Sequence, residues 1–223
     1  SISDGWYYAR KELGRGLLIR SELTDITTTR PLSQHINTTT ITLIGPDYPN
    51  LLETLAGACS LYDANIIDAQ IETTIDGIAI DTISVSRDFQ DQDEDRRIIK
   101  ISDCIKKSLS GELSLAREIS KKVTKIRYEK TFKVSNKVNI TNEFSNNSTV
   151  IEIEGRDRPG LLYQIANTLK ETNINIKSAH IVTFGEKAND IFYITNLFGE
   201  KIYTPEKLLL IKSMLLSSME GNT

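Results

Sequence analysis

Two stretches of the chain show the same succession of hydrophobic and polar positions. Each opens on residues that alternate between the two kinds, 40–44 and 150–153, and this period of two predicts a β-strand. After a proline, apolar residues recur three and four positions apart, which is the spacing of one face of a helix. These positions are Leu51, Leu52, Leu55, Cys59 and Tyr62 in the first stretch and Leu161, Leu162, Ile165, Ala166 and Leu169 in the second. The pattern therefore predicts a strand and then a helix, twice.

Further alternating segments and a second helix complete each stretch. The additional predicted strands are 65–74, 78–86, 175–184 and 190–197, and the additional predicted helices are 95–109 and 205–219. Gly111 follows the first of these helices as a stop signal, and Thr204 precedes the second as an N-cap. Each stretch therefore has the predicted order βαββα.

The two stretches are also copies of one another in sequence. Residues 40–73 align without a gap on 150–183, at an offset of 110 residues. Identical residues at aligned positions include Gly45 and Gly155, Asp47 and Asp157, Pro49 and Pro159, and Asn65 and Asn175. A slip of one residue then aligns Asp81 with Asp190. A repeat of this length indicates a duplicated domain, because the units of solenoid proteins are about 20–50 residues long.

The order βαββα lacks one strand of the ferredoxin-like plan, in which the last strand lies beside the first. Two upstream segments can supply it. Residues 137–144 alternate and lead through a Ser-Asn-Asn-Ser turn to the strand at 150, and residues 32–36 stand in the same relation to the strand at 40. We therefore predict an α+β fold with two ferredoxin-like domains. Each would be a permuted ββαββα unit with a four-stranded antiparallel sheet and its helices on one face.

The predicted domain boundaries follow from these elements. Residues 27–111 form domain 1 and residues 132–223 form domain 2. Between them, helical spacing of apolar residues among many lysines and arginines predicts a helical linker at 112–131. Residues 1–26 match neither repeat and are assigned to a linker or the tail of a preceding domain. Since the chain starts at Ser without Met, we expect it to be part of a longer protein.

Composition narrows the class of protein. With 39% hydrophobic and 26% charged residues, the chain is typical of a globular protein with a packed core. Its net charge of −3 gives no overall attraction to nucleic acid or anionic lipid. No apolar run approaches the ~20 residues of a membrane span, and the first residues lack the pattern of a signal peptide. We therefore expect a cytoplasmic protein with neither nucleic-acid nor membrane partners.

The sequence carries no recognisable set of residues for catalysis or metal binding. The two cysteines, Cys59 and Cys104, lie within apolar helical patterns and are predicted to be buried. The two histidines, His35 and His180, form no metal-binding spacing, and no phosphate-binding loop or nucleophile motif occurs. We therefore predict no catalytic residue, no metal ligand and no cofactor in this chain.

The Gly-x-Asp-x-Pro turn before the first helix of each repeat is the candidate ligand site. The first amides of a helix have no partner within it, so the turn at 155–160 favours an anion such as a carboxylate. The side-chain amide of Asn175 can address a second polar group, and the two together suit an amino acid. The candidate residues are Asp157, Arg158, Pro159, Gly160, Leu161, Leu162 and Asn175, with Asp47, Pro49, Asn50, Leu51 and Asn65 in the first repeat.

The same residue types are also common in turns and at helix starts that bind no ligand. Their repetition at matching offsets favours a ligand site over a purely structural turn. The first repeat has Tyr48 and Asn50 where the second has Arg158 and Gly160, so the two sites need not bind equally.

At these residues the sequence resembles a known family. The strings GRDRPGLLYQIANTL and NINIKSAHIVTFGEKANDIFYITNLFG resemble the second of two ACT domains at the C-terminus of bifunctional uridylyltransferase/uridylyl-removing enzymes, which act on the nitrogen-regulatory protein PII. The strings GPDYPNLLETLAGAC and NIIDAQIETTIDGIAIDTISVSRDF resemble the first. The resemblance covers about residues 30–220.

The resemblance implies a regulatory region that senses glutamine and biases a parent enzyme between adding UMP to PII and removing it. Mg is then expected only in the nucleotidyltransferase and phosphodiesterase domains of that parent, outside this chain. The implied ligand positions are Asp157, Pro159, Gly160, Leu161 and Asn175, with Asp47, Pro49, Leu51 and Asn65 in the first copy. ACT domains that pair within or between chains are also implied. The alternative is a ligand-independent dimerisation or assembly module of another enzyme of amino-acid metabolism.

Overall fold

The computed structural model describes residues 18–27, 35–46, 51–73, 78–87, 91–125, 135–158, 160–184 and 187–220. The strands are β1 (Leu18–Thr27), β2 (His35–Pro46), β3 (Ile66–Thr73), β4 (Ile78–Ser86), β5 (Lys137–Thr141), β6 (Thr149–Arg156), β7 (Asn175–His180), β8 (Thr183–Phe184) and β9 (Lys187–Thr195). The helices are α1 (Leu51–Leu61), α2 (Asp91–Leu109), α3 (Leu115–Lys125), α4 (Leu161–Glu171) and α5 (Pro205–Glu220).

The strands form one continuous antiparallel sheet in the order β1-β2-β4-β3-β7-β9-β6-β5, and the short β8 pairs with β9. The first four strands of this order belong to the first repeat, and the last four belong to the second. Within each repeat an upstream strand lies beside the strand that precedes the first helix. The α+β fold built from permuted ββαββα units is therefore confirmed.

In the second repeat the added strand is the predicted one. β5 pairs with β6 from Lys137↔Glu154 to Thr141↔Val150, and the residues after Thr141 form the turn that leads into β6. Asn142 fixes this turn, because its Oδ1 accepts a hydrogen bond from the Thr149 hydroxyl at 2.7 Å.

In the first repeat the predicted added strand, 32–36, is wrong. Residues 35–36 are the start of β2 itself, and residues 31–34 lie outside the described part of the chain. The edge strand is β1, which pairs with β2 from Thr27↔His35 to Leu18↔Ile44. β2 is 12 residues long, and the ten-residue β1 can satisfy its backbone groups along nearly the whole edge. Residues 18–27 thus form an edge strand of the sheet, and the predicted domain boundaries stay predictions.

The two repeats meet where β3 pairs with β7, and we call this strand pair the seam. Its register is Asp68↔His180, Ala69↔Ala179 and Gln70↔Ser178. Ala69 and Ala179 are equivalent positions of the repeat, so an approximate two-fold axis passes between them. The seam therefore places each repeat against the other in the same way. A contact of 2.7 Å between His180 Nδ1 and Asp68 Oδ1 also crosses it.

One face of the sheet carries the core. Along β2 and β9, alternate side chains are fully buried, including Ile41, Leu43, Phe192 and Ile194, and the positions between them are partly exposed. The helices cover this face. A single hydrophobic cluster runs through both repeats, because α1 packs against α4 above the seam. Both cysteines are buried, as the sequence predicted.

Helix α3, in the predicted linker segment, packs on α1 where a glycine leaves room. A Cβ built on Gly57 would lie 3.0 Å from Tyr163 Cδ2 and 3.1 Å from Leu115 Cδ1. These distances are tighter than ordinary van der Waals contact, so the missing side chain at Gly57 permits the close packing of α1 against both α4 and α3.

Candidate functional site

A cavity of about 240 Å³ lies beside the seam, and both repeats contribute to its walls. The first repeat supplies the end of α1 and the turn into β3, including Ser60, Asp63 and Asn65. The second repeat supplies the turn before α4 and the adjoining strands, including Asp157, Arg158, Gly160, Leu161, Leu162 and Asp190. The cavity therefore exists only because the two repeats lie side by side.

Helix α4 begins at the wall of this cavity without a side-chain cap. Gly160 is its N-cap residue, with φ 81° and ψ 2°, and among the described residues no side chain caps the first turn. The first helical hydrogen bond runs from the Gln164 amide to the Gly160 carbonyl at 2.9 Å. The amides of Leu162 and Tyr163 precede this bond, so they lie at the positive end of the helix dipole. This end of the cavity favours an anionic group.

The turn before α4 approaches α3 so closely that only glycine fits at position 160. A Cβ on Gly160 would lie 2.9 Å from Ile119 Cγ2 of α3, and the positive φ adds strain for any other residue. Ser60 lies on the facing wall, and its Oγ is 3.9 Å from the same Cβ position. This hydroxyl is buried and has no hydrogen-bond partner in the part of the chain that the structure describes. Ser60 Oγ is therefore available to a ligand in the cavity.

Two carboxylates line the second-repeat wall. Asp190 lies on β9 and is 2% exposed, and its Oδ1 accepts a hydrogen bond from the Val182 amide at 3.2 Å. Burial raises the pKa of Asp190 to about 7, the Val182 hydrogen bond opposes this rise, and the charge of Asp157 adds to it. Burial also raises the pKa of Asp157, against a hydrogen bond from the Arg158 amide. Protonated and ionised forms of Asp190 therefore coexist near neutral pH.

The opposite wall is held by two cations from neighbouring helices. Lys122 of α3 donates from Nζ to the carbonyls of Ser60 (2.6 Å) and Leu61 (3.2 Å) and to Asp63 Oδ1 (2.6 Å). Arg97 of α2 donates to the Asp63 carbonyl at 3.1 Å. Asp63 has a φ of 54°, a left-handed conformation that these contacts stabilise. The turn that carries Asn65 is thus fixed from both sides.

The structure brings only some of the predicted site residues together. Asp157, Arg158, Gly160, Leu161 and Leu162 line the cavity. Asn175 does not line it, and its Nδ2 lies 3.5 Å from the Asn196 carbonyl oxygen, to which it donates. Asn65 of the first repeat lies there instead. Leu51 is buried in the first turn of α1, and Pro159, Asp47, Pro49 and Asn50 lie outside the described residues.

The pairing of β3 with β7 explains why Asn65, and not Asn175, lines the cavity. Because this pairing faces the turn before α4 towards the first repeat, that turn meets Asn65. Sequence reasoning also missed Ser60, Asp63 and Asp190 as site residues. The alignment of Asp81 with Asp190, an acid in an otherwise apolar strand pattern, was a signal for the last of these.

Replacing Gly160 with alanine should lower the free energy of unfolding by about 2–3 kcal/mol, because the left-handed backbone and the contact with Ile119 both oppose a side chain. Gly199 is the matched control. It has the same φ of +81°, but nothing lies within 4 Å of its Cβ position, so Gly199→Ala should cost only about 1 kcal/mol of backbone strain. Urea denaturation measures both. Equal losses for the two variants would show that α3 does not press on the turn.

Comparison with known proteins agrees with the predicted resemblance. Residues 137–222 match a family model described as an ACR9-like, ACT-like domain. The chain is 46% identical over 179 residues, 80% of its length, to the bifunctional uridylyltransferase/uridylyl-removing enzyme of Bradyrhizobium sp. (strain ORS 278). It is 44% identical over 185 residues, 82% of its length, to the enzyme of the same name from Bradyrhizobium diazoefficiens. It spans about a fifth of the length of these relatives, 19% and 20%.

Among solved structures, an aspartate kinase from Synechocystis matches over 82% of this chain and 27% of its own, with a TM-score of 0.43 and 15% identity. No helix within the described residues is long and apolar enough to cross a membrane. Nor do the described residues hold a group of three or more His, Cys, Asp or Glu side chains placed to bind a metal ion. The second repeat thus matches an ACT-like domain model, and about four fifths of the chain is similar to one part of the bifunctional uridylyltransferase/uridylyl-removing enzymes.

Proposed function

We propose that this chain is a regulatory region that binds glutamine in the cavity beside the seam. In this proposal glutamine occupancy biases a longer enzyme between adding UMP to PII and removing it. The observation that carries the proposal is the cavity itself, which combines an uncapped helix start from one repeat with polar side chains from the other. The similarity to uridylyltransferase/uridylyl-removing enzymes supports the part of the proposal that concerns UMP addition and removal.

The polar groups of the cavity suit an amino acid with an amide side chain. The α-carboxylate would lie at the amides of Leu162 and Tyr163, where the helix dipole favours negative charge. Asn65 and Ser60 would address the side-chain amide, since an amide group both donates and accepts hydrogen bonds.

A ligand in this position would act on the arrangement of the repeats. Both walls must be in place for it to make all its contacts, so binding stabilises the paired repeats over any separated state. Helix α3 touches both walls, through Lys122 on one side and Ile119 on the other. Coupling free energies between sites are typically about 1–3 kcal/mol, which is enough to change the balance of two opposed activities several-fold.

Calorimetry with glutamine tests the site and also tells the two asparagines apart. Asn65→Ala should weaken binding about ten-fold or more, because a hydrogen bond to the ligand is lost. The backbone bond from the Ser86 amide to the Asn65 carbonyl stays, so the fold should be intact. Asn175→Ala is the matched variant in the other repeat. An effect of Asn175→Ala without any effect of Asn65→Ala would support the pairing predicted from sequence and would reject this cavity.

Assembly without a ligand is the second candidate function. It is favoured by large apolar side chains that are exposed at one end of the second repeat, namely Phe144, Leu197, Phe198 and Tyr203. Phe198 is 88% exposed, which is unusual for so large an apolar residue. If sedimentation shows a stable oligomer and calorimetry shows no heat with glutamine, assembly replaces sensing as the function.

A further inference from the structure

We propose that Asp190 makes the cavity selective for ligands that carry an ammonium group, so that it binds an α-amino acid and rejects the same carbon skeleton without the amino group. This rests on the proposed function, since it takes the cavity beside the seam to be the ligand site. It adds a role for Asp190 and a selection rule that neither the repeat pattern nor the likeness to other proteins supplies.

The first support is the position of Asp190. On β9 its side chain points to the helix-covered face, with Ala188 and Phe192 buried on either side in the same alternation. Its Oδ1 accepts one hydrogen bond, from Val182. Within the described residues its Oδ2 accepts none, and the residue lines the cavity. A buried carboxylate is costly to ionise unless a cation pairs with it, and a bound ammonium group would be that cation.

The second support is the charge of the cavity walls. The charge of Asp63 is offset by Lys122 at 2.6 Å. The guanidinium of Arg158 is engaged by its neighbours, because Nη2 donates to Gln164 Oε1 and to the Ser218 carbonyl. Asp157 and Asp190 are left as negative groups on one wall, and the charge of Asp157 raises the cost of ionising Asp190.

A zwitterion matches this distribution of charge. The start of α4 favours the carboxylate end of an amino acid, and the two aspartates favour the ammonium end. Glutaramic acid has the glutamine skeleton without the amino group, so it would leave the aspartates without a cation.

Binding should also release a proton. The pKa of Asp190 is about 7 in the empty cavity, so part of the population is protonated at neutral pH. An ammonium ligand binds the ionised form, and its affinity should therefore rise with pH through about 7 and then level. The other titratable groups on the cavity walls are Asp63, Asp157, Arg158 and Tyr163. Of these, Asp157 and Tyr163 also have a raised pKa. The pKa of Tyr163 lies above its ordinary value of 10, outside this pH range, so Asp157 is the group tested separately.

The experiment is calorimetry on the full chain with glutamine and with glutaramic acid, from pH 5.5 to 8. The wild type should bind glutamine at least ten-fold more tightly than glutaramic acid at pH 8. Asp190→Asn should weaken glutamine binding about ten- to a hundredfold, as expected for a lost hydrogen bond to a charged group, and should abolish the pH dependence. Its affinity for glutaramic acid should not fall. The asparagine keeps an acceptor for Val182, so the turn it supports should remain.

Two further variants serve as comparisons. Glu154→Gln removes a charge from the other face of the neighbouring strand, where Glu154 pairs with Lys187, and should leave glutamine affinity unchanged. If Asp157→Asn abolishes the pH dependence and Asp190→Asn does not, the selection rule has been assigned to the wrong aspartate. Equal wild-type affinity for glutamine and glutaramic acid would overturn the inference while leaving the proposed function in place. Absence of wild-type glutamine binding would instead overturn the proposed function, and the inference with it.

Discussion

Arg97→Ala should lower the free energy of unfolding by about 3–5 kcal/mol, because it removes the guanidinium that pairs with a fully buried carboxylate. Arg97 is 6% exposed and Glu94 is 0% exposed, and Arg97 Nη2 lies 2.8 Å from Glu94 Oε2. The same guanidinium donates to two backbone carbonyls, of Asp63 (3.1 Å) and Ser86 (2.6 Å). It therefore joins α2 to the turn that forms one wall of the cavity.

The neighbouring residue provides the control. Arg96 also pairs with an acid three residues earlier, Asp93 at 3.3 Å, but its side chain is 70% exposed. Arg96→Ala should therefore cost no more than about 0.5 kcal/mol, as for other exposed ion pairs. Urea denaturation at neutral pH compares the two. A loss below about 1 kcal/mol for Arg97→Ala would contradict the view that this buried pair holds the turn.

Asp190 should make the chain less stable as the pH rises. Its pKa is about 7 in the folded state, above its ordinary value of 3.8, so the folded state binds more protons than the unfolded state between these values. The free energy of unfolding therefore falls as the pH rises from about 4 to about 7 and levels above that. At about 1.4 kcal/mol per pKa unit, the part that lies between pH 5 and pH 8 amounts to about 3 kcal/mol at most.

Asp190→Asn isolates this contribution from that of other groups. The variant has no carboxyl to titrate, so its stability relative to the wild type should improve by about 2–3 kcal/mol on going from pH 5 to pH 8. Asp157, whose pKa is raised mainly by its own burial, is present in both proteins, so that burial contribution is common to the two. Denaturation curves at the two pH values give the difference. A gap between variant and wild type that does not change with pH would show that Asp190 is not held protonated.

The strands and helices that the two repeats share could be predicted from the sequence, because patterns of neighbouring residues determine them. Alternation at 40–44 and 150–153, followed by helical spacing, determines the strands and first helices of both repeats. The hairpin of β5 and β6 was predictable as well, because only a short turn separates two alternating segments. The same reasoning failed at β1, where a connection of seven residues, 28–34, precedes β2 and the alternation extends across the start of that strand.

The residues of the candidate site were likewise predicted from the sequence only where neighbouring residues determine the structure. Asp157 and Gly160 were identified from sequence because a turn before a helix is encoded by adjacent residues. The partner of that turn was not, because Asn65 and Asn175 are equivalent in the repeat and no local pattern states which repeat each one faces.

The sequence by itself determined that two similar βαββα stretches exist, since the periods of two and 3.6 residues and the turn residues act over short range. Only the tertiary structure decided that β3 pairs with β7, which brings Asn65, Asp63 and Ser60 to the turn before α4. It also decided that Asp190 is buried in the cavity wall. Strand pairing between the repeats depends on which sheet edges remain unpaired after each unit has folded. Burial of a charged side chain depends on which elements then pack over it. Both are properties of the assembled sheet and helices.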